Sequence, residues 1–213
     1  MMFKFLIPII ILTICFQNGC KENTNLNKKI EVSKSEKSAS GLEIGEDSPS
    51  FMPFHVWGPD KGSRTCPICK YGLIQGLVYF IGNNPNWVDI KKWLTFLDYQ
   101  NKIRTGYFKV YFVYGNDHNF SEQNRTNELV KLAKDLKIEY IDITYVPSLN
   151  DEESYVNLNR INPEVQNTFI SFLDRTIIYK HINFVANETN NRIMEEELNN
   201  SKIKFSQIIS VNK

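Results

Sequence analysis

Residues 77–81 read LVYFI and residues 108–114 read FKVYFVY, two apolar runs of strand length with almost no polar interruption. A strand buried on both faces of a sheet needs such a run, whereas a half-exposed strand alternates apolar and polar positions. Between them the chain turns at Asn83-Asn84-Pro85-Asn86. Trp87, Ile90, Leu94 and Leu97 then recur at steps of three and four, which puts them on one face of a helix laid over the sheet. Strand, crossover helix and strand together predict a parallel pair and hence an α/β domain.

The same alternation continues on both sides of this core. Downstream, Gly115-Asn116-Asp117 closes the second strand. Ser121 is placed to cap a helix running to about residue 137, with Leu129, Leu132, Ala133 and Leu136 inward. Residues 139–146 form a further strand stopped by Pro147, and residues 152–158 a short helical piece. Strands 168–173 and 177–184 flank an Asp174-Arg175 turn as a β-hairpin, and a polar helix from 187 to about 200 turns Ile193, Met194 and Leu198 inward. Upstream, residues 51–57 make a first strand that Pro53 confines to an edge, ended by Gly58-Pro59-Asp60-Lys61-Gly62. A loop carrying Cys66-Pro67-Ile68-Cys69 follows. The expected fold is α/β, a central mixed sheet flanked by helices, with an N-terminal strand and the CxxC loop before the first central strand.

Composition fits one such domain. The chain has 213 residues, 42% hydrophobic and 13% aromatic, enough apolar area for a core. Lys plus Arg is 25 and Asp plus Glu is 24, so no basic surplus draws in a phosphate backbone, and nucleic acid is not an expected partner. The first residues follow another logic. Lys4 precedes an apolar run over residues 5–16, too short to span a bilayer and of the length of a secretory signal. Residues 20–47 are a polar mixture of Lys, Ser, Asn and Glu without apolar period, the composition of a flexible spacer. The expected organisation is a signal peptide over 1–19, a lipidated Cys20 with its linker over 20–47, a domain over 48–205 and a tail over 206–213.

Gly19-Cys20 resembles the end of a bacterial lipoprotein signal, in which a small residue precedes a Cys that becomes the acylated N-terminus. The resemblance implies export and a domain tethered to a membrane by several acyl chains in the cell envelope. The order of elements over about residues 51–200 resembles the thioredoxin fold, in its peroxiredoxin-like or redoxin elaboration. The stretch GPDKGSRTCPICKYG also resembles a GPxKGxxxCxxCxYG pattern of exported thioredoxin-like proteins. In a thioredoxin the CxxC follows the first central strand and opens the next helix; here Cys66 and Cys69 precede residues 77–81. The position matching that active site, Gly82 to Asn86, holds no Cys, and Asn167 stands where a proline usually precedes the hairpin.

Of four Cys, Cys15 leaves with the signal and Cys20 is the lipidation candidate, so Cys66 and Cys69 can form the one internal disulfide of the mature domain. Three readings stay open. Thiol-disulfide exchange with envelope proteins needs an activated thiol and a resolving thiol within reach, and Lys61, Arg64 and Lys70 stand close enough in sequence to favour a thiolate. Cys66, the first Cys, is expected to be the more exposed attacker. The alternatives are a non-catalytic binding or scaffold module in which the pair is a structural staple, and a metal site with His55 the nearest further ligand; no cofactor is expected. His118 at a strand-end rim reads as a solvated loop histidine, and His181 as sheet packing or surface. Trp57, Trp87 and Trp93 are expected mainly in core roles, and the three acids at 195–197 on a solvated face.

Overall fold

The structure, a computed structural model, describes residues 39–211, with side chains through Ser201. Cys15, Cys20 and the expected signal peptide lie outside the described residues. Six strands form one mixed sheet: β1 (Phe54–Trp57), β2 (Gln75–Ile81), β3 (Phe108–Tyr114), β4 (Asp142–Tyr145), β5 (Thr168–Leu173) and β6 (Thr176–Ile182), in the order β1-β4-β3-β2-β5-β6. β2, β3 and β4 are parallel, β5 runs antiparallel beside β2, β6 pairs antiparallel with β5 at the far edge, and β1 pairs antiparallel with β4 at the edge that Pro53 requires. The helices are α1 (Pro67–Tyr71), α2 (Trp87–Ile103), α3 (Glu122–Asp135) and α4 (Glu188–Val211), with a 3-10 turn over Val156–Asn159.

Every residue of β2 is buried, as the apolar run demands, and successive side chains serve opposite faces of the sheet. Leu77, Tyr79 and Ile81 pack with Ile90, Trp93 and Leu97 of α2, Leu129 of α3 and Leu198 of α4. Val78 and Phe80 point the other way, to a second cluster with Phe51, Ile68 of α1, Val146, Val156 and Ile161. The three long helices thus serve one face. Short and irregular segments close the other.

The departures from sequence expectation have local causes. β2 begins at Gln75 because the Phe172 ring occupies the space above Gly76, so a residue poor in strand propensity is held in the ladder. β4 begins only at Asp142, since the N–H groups of Glu139, Tyr140 and Ile141 donate to the Asp98 carboxylate, at 2.7 Å for Tyr140. The Asp174-Arg175 turn is tight as expected, with φ of 49° and 61°. α4 continues to Val211, past the boundary drawn at 205. The spacer also stops short of 47. Gly41 N–H donates to Arg160 O, Gly45 N–H to Ile177 O and Ser48 N–H to Arg175 O, Asp47 bridges Thr176, and Leu42 is buried.

Candidate functional site

Cys66 and Cys69 form a disulfide across the first turn of α1, with Cα atoms 5.3 Å apart. Pro67 starts that helix where its missing N–H costs nothing, and Cys66 is the N-cap, its Sγ accepting the Cys69 N–H at 3.0 Å. The pair therefore sits on a short helix where a loop was expected. Ile68 is the buried anchor of α1, Tyr71 packs on Tyr111 at 6.4 Å, and Gly72 O accepts the Arg175 N–H at 2.7 Å, which ties α1 to the β5–β6 turn. Cys66 is half-buried and Cys69 is exposed, the reverse of the expected order. Ser50 Oγ lies 3.4 Å from Cys69 Sγ.

The three cations are committed elsewhere. Lys70 binds Asp60 at 2.5 Å, and that contact holds its pKa above the ordinary lysine value. Arg64 pairs with Glu122 at 3.6 Å and lies over the Phe54 ring, while Lys61 lies over the Trp57 ring. The group that visibly favours negative charge on a sulfur is the Cys69 N–H, and it favours it on Cys66.

The turn matching a thioredoxin active site is closed by polar contacts. Asn83 N–H donates to Pro163 O at 2.7 Å, Asn83 and Asn84 side-chain amides donate to the Glu164 carboxylate, and Asn84 donates also to Glu164 O. A Cβ at Gly82 would lie 2.3 Å from Pro163 O, so the two backbones approach as only glycine permits. Asn167 is a strut: its Oδ1 accepts the Phe184 N–H at 2.7 Å and its Nδ2 donates to Phe184 O at 3.1 Å. These residues hold the strand ends together and supply no nucleophile.

Beside α1 lies a buried polar cluster that sequence reading found only through His55. His55 is fully buried, with Nε2 2.9 Å from Thr65 O and Nδ1 3.2 Å from Asp142 Oδ1. Among the described residues, His55, Asp60 and Asp142 are the group of three metal-ligating types whose donor atoms all lie within 4.8 Å of one another. No cysteine belongs to it, so the expected combination of His55 with Cys66 and Cys69 is not what the fold assembles. The available signal was an Asp opening a short strand, DITY over 142–145, and an Asp inside the Gly58 to Gly62 turn.

The remaining candidates take structural places. His118 is 68% exposed on its side chain, and His181 stacks on Phe184 with Nε2 2.8 Å from Glu197. Trp93 is fully buried and donates to Phe184 O, Trp57 donates to Ile138 O, and Trp87 meets Tyr114 edge-on.

No protein-family model matches the chain, and no curated protein is significantly similar to it in sequence. Solved structures do match. A protein assigned as the thiol:disulfide interchange protein DsbE from Chlorobium tepidum superposes with a TM-score of 0.56 at 13% identity, over 75% of this chain and 98% of that one. A thiol peroxidase from Chromobacterium violaceum gives 0.51 at 10% identity, over 77% and 90%. An uncharacterised conserved protein from Geobacillus kaustophilus gives 0.50 at 17% identity, over 66% and 70%. The chain has a thioredoxin-like fold of the redoxin type, a mixed six-stranded sheet flanked by helices.

Proposed function

We propose that this protein carries out thiol-disulfide exchange through Cys66 and Cys69 in the bacterial cell envelope, tethered by lipid at Cys20. The observation that carries the reading is an accessible disulfide whose two sulfurs differ in environment, on a thioredoxin-like fold. A partner thiolate attacks the exposed Cys69 Sγ, a bond forms between the partner sulfur and Cys69, and the S–S bond breaks with its electron pair passing to Cys66. Cys66 is the better leaving group because its Sγ already accepts the Cys69 N–H. A second partner thiolate then attacks the partner's sulfur in the mixed disulfide and releases Cys69 as thiolate. The partner leaves oxidised and the pair is reduced. Envelope proteins bearing thiols or disulfides are the partners this chemistry selects.

The test is trapping. In Cys66→Ser the exposed Cys69 should accumulate mixed disulfide with glutathione or a partner, while Cys69→Ser should trap little; absence of trapping in both variants would contradict exchange. The second reading is a binding module in which the same disulfide is a staple, favoured by the closed Gly82 to Asn86 turn and by Asn167. A staple predicts a marked fall in melting temperature on reduction.

A further inference from the structure

We propose that His55, Asp60 and Asp142 form a buried site for one divalent transition-metal cation of the zinc class. The argument starts from the imidazole. Thr65 O can only accept, so the proton on that side of the ring is on Nε2, and in the neutral ring Nδ1 is then a lone pair. That lone pair faces Asp142 Oδ1 at 3.2 Å, and two lone pairs at this distance need an electrophile between them.

A shared proton would serve those two atoms alone. Asp142 Oδ2 and Asp60 Oδ2 are also buried without a hydrogen-bond partner, and so is the hydroxyl of Tyr111, a side chain with no exposed surface. Tyr111 faces the same place. Its ring meets His55 edge-on at 6.1 Å. Two carboxylates stand against the single charge of Lys70, which occupies Asp60 Oδ1 and leaves Oδ2 free. A buried net negative charge of this kind is costly, and a divalent cation offsets it while giving each orphaned oxygen something to face.

Chemistry and geometry narrow the class. One imidazole nitrogen and two carboxylate oxygens are a zinc-type donor set, and a backbone carbonyl on the other ring nitrogen is the usual outer support of a ligating histidine. Donors about 2.1 Å from a tetrahedral ion lie about 3.4 Å apart. His55 and Asp142 already meet that spacing, and Asp60 is within 4.8 Å. The Gly58 turn makes the approach possible: a Cβ there would lie 2.6 Å from Asp142 Oδ1. The cation would lock the β1–α1 connection that carries the cysteine pair.

The experiment uses the full chain with its disulfide intact, stripped with chelator and titrated with Zn²⁺ alone, followed by calorimetry and metal analysis. One Zn²⁺ per chain is expected, with affinity at least about tenfold weaker in His55→Gln and Asp142→Asn and unchanged in the Cys66→Ser/Cys69→Ser double variant. Should the buried-site variants not fold, Co²⁺ added to the wild-type chain with its disulfide intact decides: visible d–d bands that saturate at one Co²⁺ per chain support the site, and their absence overturns it. Failure of the folded wild-type chain to take up Zn²⁺ also overturns it. So does uptake that survives both buried-site variants and disappears with the cysteines.

Discussion

Cys66 and Cys69 are three residues apart yet chemically unequal: one sulfur is half-buried and receives an N–H, the other faces solvent. That inequality gives the disulfide a direction of attack. In the proposed exchange it assigns first contact to Cys69, whereas the order of the residues alone pointed to Cys66. Two other single residues are diagnostic. Gly58 has φ of +103° and no room for a Cβ beside Asp142, so Gly58→Ala should cost about 2 kcal/mol or more in denaturant unfolding. Tyr79 stacks on Phe169 at 4.2 Å, but its buried hydroxyl has no partner, so Tyr79→Phe should stabilise the domain by roughly 1 kcal/mol. A destabilised Tyr79→Phe would mean that its hydroxyl is bound after all.

Among the elements, α1 decides how the molecule is read. It is five residues long, precedes β2, and is held by Ile68, Tyr71 and the Arg175 contact against the sheet face that lacks long helices. Residues 40–48 belong to the same cover. A chain beginning at residue 49 loses the contacts of Gly41, Gly45 and Ser48 with Arg160, Ile177 and Arg175, and should melt at least about 5 °C below one beginning at residue 39. Equal melting temperatures would show that this segment contributes nothing.

The central strands and the helices over them were legible because Leu77 to Ile81 is an unbroken apolar run of strand length and Trp87 to Leu97 carries the period of 3.6. The cover of the other face was not, since Leu42 and the glycines around it carry no period and are ordered by tertiary hydrogen bonds. The cysteine pair was legible from its spacing, but its helical setting was not, because a five-residue helix is too short to show a repeat. The His55 cluster joins three parts of the chain. Only the fold brings residues 55, 60 and 142 together.

For the molecule as a whole, the proposed function requires a redox-active domain tethered at Cys20. Cys20→Ala should move the protein from the membrane to the soluble fraction on cell fractionation, and unchanged membrane association would contradict the anchor. Stability should also fall on the alkaline side. Burial holds the Tyr79 phenol protonated well above its ordinary value of 10.0. The unfolded chain therefore loses this proton first. Its contribution is intact below about pH 10 and is lost as pH rises beyond it, a limb that Tyr79→Phe should flatten in pH-dependent melting.

The most direct test of exchange is the reduction potential of the Cys66–Cys69 pair in the intact chain, read by alkylation and mass shift across thiol buffers of known poise. A value between about −270 and −120 mV, the range of exchange proteins, is the predicted result, and its place in that range distinguishes reductant from oxidant. A value below about −300 mV would mark a structural staple and contradict the account.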